Sequence, residues 1–131
     1  MPPATRLLLS APLASCLLFT TYNGFVEGFN MTHYWGTPGM KVATAFQLAY
    51  GVLGAVGLFV LVRRPRWSGA VLLGWCVAVT AEGLLAPIVY AGQSIAYGVV
   101  AAAIVAAIAG SAWWAWARAG RVRESAAGAR V

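Results

Sequence analysis

Glu82 is the residue of this sequence with the clearest chemical potential, because it is a carboxylic acid inside a long apolar run, residues 68–90. It lies about eight residues before the end of that run, on the order of 12 Å by helical rise. An ionised carboxylate facing lipid at such a depth costs at least about 2.5 kcal/mol. Glu82 is therefore expected to face other helices or a hydrated cavity and to exchange protons. Pro87 frees the Gly83 carbonyl one turn away, which predicts a kinked, hydrated pocket mouth.

Polar residues on two other apolar runs are expected in the same half of the membrane as Glu82. Spacings of three and four place several of them on one face of a first helix, and similar spacing continues on a second. The candidates for a ligand or proton site with Glu82 are Asn23, Glu27, Gln47 and Tyr50. In the competing interpretation, a protonated Glu82 only hydrogen-bonds to Asn23, Gln47 or Tyr50 and holds the helices together.

His33 and the two cysteines offer weaker chemistry. His33 could titrate or bind a metal with Glu27, but beside Tyr34 and Trp35 it is more typical of an interfacial anchor. Cys16 and Cys76 are expected at one depth and could form a thiol pair, although buried cysteine is usually an apolar filler. Cys16 also ends a stretch similar to a lipoprotein lipobox, an alternative that stays open. No metal site and no cofactor is predicted from these residues.

The elements that must position these residues are membrane-spanning helices. The chain has 131 residues, of which 61% are hydrophobic and 9% charged, whereas soluble domains have roughly 45–50% and about 25%. Apolar runs at 7–29, 42–62, 68–90 and 95–116 each approach the roughly 20 residues that a spanning helix needs. Short connections predict a compact, antiparallel four-helix transmembrane bundle over residues 1–117, followed by a basic, disordered tail at 118–131.

The basic residues predict the orientation of these spans. Of nine Lys and Arg residues, eight lie before the first run, between the second and third, or after the fourth, and only Lys41 lies on the other side. The positive-inside rule then places both termini in the cytoplasm. The net charge of +6 is thus a topology signal and predicts no nucleic-acid partner. A composition rich in Ala, Gly, Val and Arg favours a bacterial cytoplasmic membrane.

The function predicted is that of a small, non-catalytic accessory subunit or a binder of a lipid, quinone or solute in an outward-facing polar pocket. A proton-coupled solute transporter using Glu82 as a homo-oligomer is the alternative, and a thiol redox protein the second alternative. The expected partners are membrane lipids and other membrane proteins or a second copy. Small residues at Gly51, Gly54, Ala55 and Gly57 supply helix-packing surfaces or a dimer interface. In length, span count and compactness the chain resembles the DoxX-like group of bacterial membrane proteins.

Overall fold

The computed structural model describes residues 2–31 and 36–129, and the side chains of residues 2–30 and 36–121. The regular structure in these ranges is helical throughout. Four helices are long and apolar enough to cross a membrane: Pro3–Asn30, Pro38–Arg63, Ser68–Ala91 and Ile95–Arg121. The prediction of an all-α chain with four candidate membrane spans is confirmed.

The first span is built from three consecutive helical pieces. Helix α1 (Pro3–Tyr22) passes into a π-helical turn (Asn23–Glu27) and then into the short helix α2 (Gly28–Met31). The other spans are single helices: α3 (Pro38–Arg63), α4 (Ser68–Ala91) and α5 (Ile95–Ala129).

Local sequence explains where these helices begin and end. Thr37 caps α3, because its Oγ1 accepts a hydrogen bond from the Met40 amide at 3.2 Å. Helix α3 stops at Arg64, whose φ of 48° is left-handed, and Pro65 follows. Helix α5 differs from the prediction of a disordered tail at 118–131, since it continues to Ala129. The tail is rich in alanine and arginine, which are strong helix formers.

Each span packs against two others. Helix α3 contacts α4, α4 contacts α5, and α1 contacts both α3 and α5, which closes a ring of four. The core of this ring contains Leu13, Leu17, Val60, Leu72 and Trp75, all fully or almost fully buried. Across the ring, Trp75 Nε1 donates a hydrogen bond to Thr20 Oγ1 at 3.0 Å. The indole is thereby satisfied in an interior that water does not reach.

The first span and α3 approach each other closely, backbone against backbone. A Cβ added to Gly24 would lie 2.4 Å from the Cα of Gly51. A Cβ on Gly54 would lie 2.8 Å from Thr21 Oγ1, and one on Gly57 would lie 2.7 Å from a Leu17 methyl carbon. Glycine therefore lets these two helices approach closely. The small-residue surface of α3 is used within the chain, against its own first span.

A cation–π contact ties the turn after α3 to α5. The Arg64 guanidinium lies 4.1 Å from the centre of the Trp116 ring, and its Nη2 donates to the Trp116 carbonyl at 3.4 Å. Trp116 Nε1 donates in turn to the Leu61 carbonyl at 3.3 Å. The arginines of this turn and those of α5 consequently lie at one end of the molecule, called the basic end below.

The glycine contact gives a first testable prediction. Gly24→Ala is expected to lower the free energy of unfolding in detergent by about 1–3 kcal/mol, because the new methyl group meets backbone atoms that cannot move aside alone. Gly110→Ala is the matched control, since a Cβ there meets nothing within 4 Å. It should be neutral or stabilising by up to about 1 kcal/mol, because alanine favours helix. Equal effects of the two substitutions would contradict the close approach.

Candidate functional site

Four of the predicted residues lie in the half of the bundle away from the basic end. We call Asn23, Gln47, Tyr50 and Glu82 the Tyr50 cluster. Asn23 belongs to the first span, Gln47 and Tyr50 to α3, and Glu82 to α4. Asn23 Nδ2 donates to the Tyr50 hydroxyl at 2.5 Å, and Gln47 Nε2 donates to the Asn23 carbonyl at 3.4 Å. Tyr50 and Gln47 are only 3% and 6% exposed. Asn23, Gln47 and Tyr50 thus form one hydrogen-bonded, largely buried group.

Asn23 of this cluster stands at the start of the π-helical turn. The following residue, Gly24, makes the close backbone contact with Gly51. A π turn widens the helix. Such turns are rare, occur mostly as single turns inside α-helices, and are frequent at functional sites. Spacing rules for a regular helix contain no signal for it, so it was not predicted.

Glu82 completes the cluster from α4. Leu72, Trp75 and Val79 form the buried face of this helix, and Glu82 continues that face three residues later. It is close enough to Tyr50 for the two side chains to interact electrostatically. Within the described ranges no hydrogen bond or ion pair reaches its carboxyl group. Glu82 therefore lies beside the hydrogen-bonded residues Asn23, Gln47 and Tyr50 but makes no hydrogen bond to them.

The half of α4 that carries Glu82 is more open than the other half. Residues 81–90 are all partly exposed, whereas Leu72, Trp75, Ala78 and Val79 are buried. At the end of this open half, the hydroxyls of Tyr90 and Thr44 lie 2.6 Å apart, and that of Tyr90 donates to the Met40 carbonyl at 3.1 Å. Sequence reasoning did not select Thr44 and Tyr90, although Thr44 lies on the Gln47 face of its helix.

Glu27, which was also predicted for this site, does not join the cluster. Glu27 is exposed at the end of the π turn, and Lys41 is exposed near the start of α3. No ion pair joins them, both being in the part of the chain that the structure describes. His33, with its neighbours Tyr34 and Trp35, lies outside the described residues.

The two cysteines are free and half-buried. They are close enough to interact electrostatically, but they line different cavities. Cys16 lines a cavity of about 170 Å³ together with Thr20, Trp75 and Ile108. Cys76 lines a separate groove between α4 and α5, beside Ala102. Among residues 2–31 and 36–129, no three His, Cys, Asp or Glu side chains come together in a way that could hold a metal ion.

Comparison with known proteins leaves the site without a precedent. No protein-family model matches the chain, and neither curated proteins nor solved structures show significant similarity to it. The function is therefore argued from the side chains themselves.

The hydrogen bond between Asn23 and Tyr50 gives a second prediction. Tyr50→Phe should destabilise the protein by about 1–3 kcal/mol, because it leaves a partly buried amide donor without its acceptor. The control is Tyr97→Phe, whose hydroxyl belongs to a side chain that is 54% exposed. Unfolding curves in one detergent would measure both variants. A Tyr50→Phe protein as stable as the control would show that the bond contributes nothing.

Proposed function

We propose that this chain is a non-catalytic membrane protein that binds a small molecule at the Tyr50 cluster, as an accessory subunit or ligand carrier. The observation that carries the proposal is the Glu82 carboxyl group, which lies in the open half of α4 beside buried polar side chains and has no hydrogen bond within the described ranges. A carboxyl group at membrane depth is costly unless something compensates it. A ligand with a positive charge or hydrogen-bond donors would do so.

The pattern of the other hydrogen bonds supports a binding role over a purely structural one. If Glu82 served only to hold helices together, it would bond to Asn23, Gln47 or Tyr50. Those three instead bond to one another. Catalysis is not favoured, because the cluster presents an amide pair, a phenol and one carboxyl group, with no nucleophile activated by a base.

The proposed setting is a bacterial cytoplasmic membrane, with an antiparallel bundle and both termini in the cytoplasm. Several contacts support the antiparallel arrangement, since residue numbers fall along one helix as they rise along its neighbour. Gly28 meets Leu48 while Gly57 meets Leu17, and Thr44 meets Tyr90 while Gly74 faces Leu53. With the arginine-rich basic end inside, the Tyr50 cluster faces outward.

Reporter fusions test this orientation. A fluorescent protein that matures only in the cytoplasm is expected to be bright when it is fused to the C-terminus. Fused after Gly92, in the turn between α4 and α5, it should be dark. The reverse pattern would place the Tyr50 cluster on the cytoplasmic side and remove the outward-facing pocket.

A second candidate is proton-coupled transport of a small solute. It is favoured by the same carboxyl group, which lacks a basic partner within hydrogen-bonding reach in the described ranges and can gain or lose a proton as the solute binds. Four helices are few for alternating access, so this function requires a homo-oligomer.

Native mass spectrometry after gentle extraction from host membranes tests the binding proposal. The wild-type protein is expected to retain a small molecule, and Glu82→Gln to lose most of it, because the neutral amide no longer compensates the ligand's charge. Glu27→Gln is the control, as it removes an exposed carboxylate at the same end of the bundle.

The outcomes of this measurement separate the proposals. Equal retention by both variants would exclude Glu82 as a ligand group. Proton-coupled solute flux in liposomes that is abolished by Glu82→Gln, together with a homo-oligomeric mass, would favour the transporter. A stable complex with other membrane proteins would support the accessory role.

A further inference from the structure

An apolar groove runs along the seam between the first span and α5. Two cavities make it up, and they share Cys16 and Ile108. The larger, of about 440 Å³, extends from this shared point towards the basic end. Its walls are formed by Pro12, Cys16, Ile108, Ser111, Ala112 and Ala115. We call these residues the α1–α5 groove.

The groove leads to a positive charge. Ser111, Ala115 and Arg118 follow one another at spacings of four and three, so they lie on one face of α5. The Arg118 guanidinium lies 5.4 Å from the centre of the Trp114 ring, and both side chains are exposed. A cation beside an indole at one end of an apolar groove can attract the phosphate of a lipid headgroup at the membrane interface.

No carboxylate competes for this cation among the described side chains. The acids of the chain are Glu27, Glu82 and Glu124. Glu27 and Glu82 lie towards the other end, and the side chain of Glu124 is outside the described residues. The charge at the mouth of the groove is therefore available to an anion from the membrane.

The length of the groove matches one leaflet. Ile108 lies ten residues before Arg118, which is about 15 Å by helical rise. The hydrocarbon core of a bilayer is about 30 Å thick, so this distance equals half of it. A headgroup at Arg118 would place its acyl chain along Ala115 and Ala112, with the chain end near Ile108 and Cys16.

We propose that the α1–α5 groove and Arg118 form a binding site for one anionic phospholipid, with the phosphate at Arg118 and one acyl chain in the groove. The site is separate from the Tyr50 cluster in position and in chemistry. Its small, mostly apolar walls accept a hydrocarbon chain, and its single cation selects a negatively charged headgroup.

Lipid titration of the purified full-length protein tests this site. Native mass spectrometry would compare phosphatidylglycerol with phosphatidylcholine carrying the same acyl chains. Phosphatidylglycerol is expected to bind preferentially. Arg118→Gln should weaken its binding by about fivefold, as expected for one basic side chain at a lipid surface. Arg118→Lys keeps the charge and should retain the preference. Arg66→Gln is the matched control, since it removes an exposed arginine from the turn between α3 and α4.

A second pair of variants tests the groove itself. Ala115→Phe fills it and should reduce the binding of both lipids. Ala106→Phe places the same side chain at an exposed position on α5, directed away from Ile108, and should leave binding unchanged. Elution as a single symmetrical species with an unchanged helical circular dichroism spectrum establishes that each variant is folded.

Other outcomes of these binding measurements would contradict or support the proposed lipid site. Equal binding of the two lipids, unaffected by Arg118→Gln, would overturn it. A dimer that Ala115→Phe dissociates would also overturn it, because the groove would then hold a second copy. Glu82→Gln should leave phosphatidylglycerol binding intact, so failure at the Tyr50 cluster is distinguishable from failure here.

Discussion

The close approach of the first span to α3 at Gly24 and Gly51 is the constraint on which the rest of the structure depends. No side chain fits between the two backbones there, because even a methyl group on Gly24 would overlap the Gly51 Cα. The approach places Asn23 beside Tyr50 and Gln47, and it coincides with the π-helical turn. A larger separation would break the hydrogen bonds of the Tyr50 cluster and leave their donors unpaired in an apolar medium.

The members of the Tyr50 cluster differ in the number of hydrogen-bond partners that their side chains have. Within lipid, polar side chains stabilise helix contacts only when they find partners, and Asn23, Gln47 and Tyr50 find them in one another. The carboxyl group of Glu82 costs the most free energy to bury, yet it has the fewest hydrogen-bond partners in the described ranges. A residue kept for stability alone would show the opposite distribution, which is the main physical reason for proposing a ligand at Glu82.

Sequence patterns predicted the four spans, but not the geometry between the helices. Apolar run lengths predicted the four helices, and spacings of three and four predicted that Asn23 and Gln47 lie on polar faces. Glu27, on the same predicted face as Asn23, is nevertheless exposed. The π turn escapes such reasoning because periodicity assumes regular helix. Depth along a helix also says nothing about the side on which a residue lies, so Cys16 and Cys76, predicted at one depth, line separate grooves.

The first span explains why the two proposed sites can coexist in so small a protein. It is the least buried of the four spans. Contacts with Gly51, Gly54 and Gly57 hold its middle and its Asn23 end tightly against α3. On its α5 side, by contrast, the neighbours Ala112 and Ala115 are too small to fill the space beside Pro12 and Cys16. Tight packing on one side therefore builds the polar cluster, and loose packing on the other leaves the groove, so a substitution in either site is expected to leave the other intact.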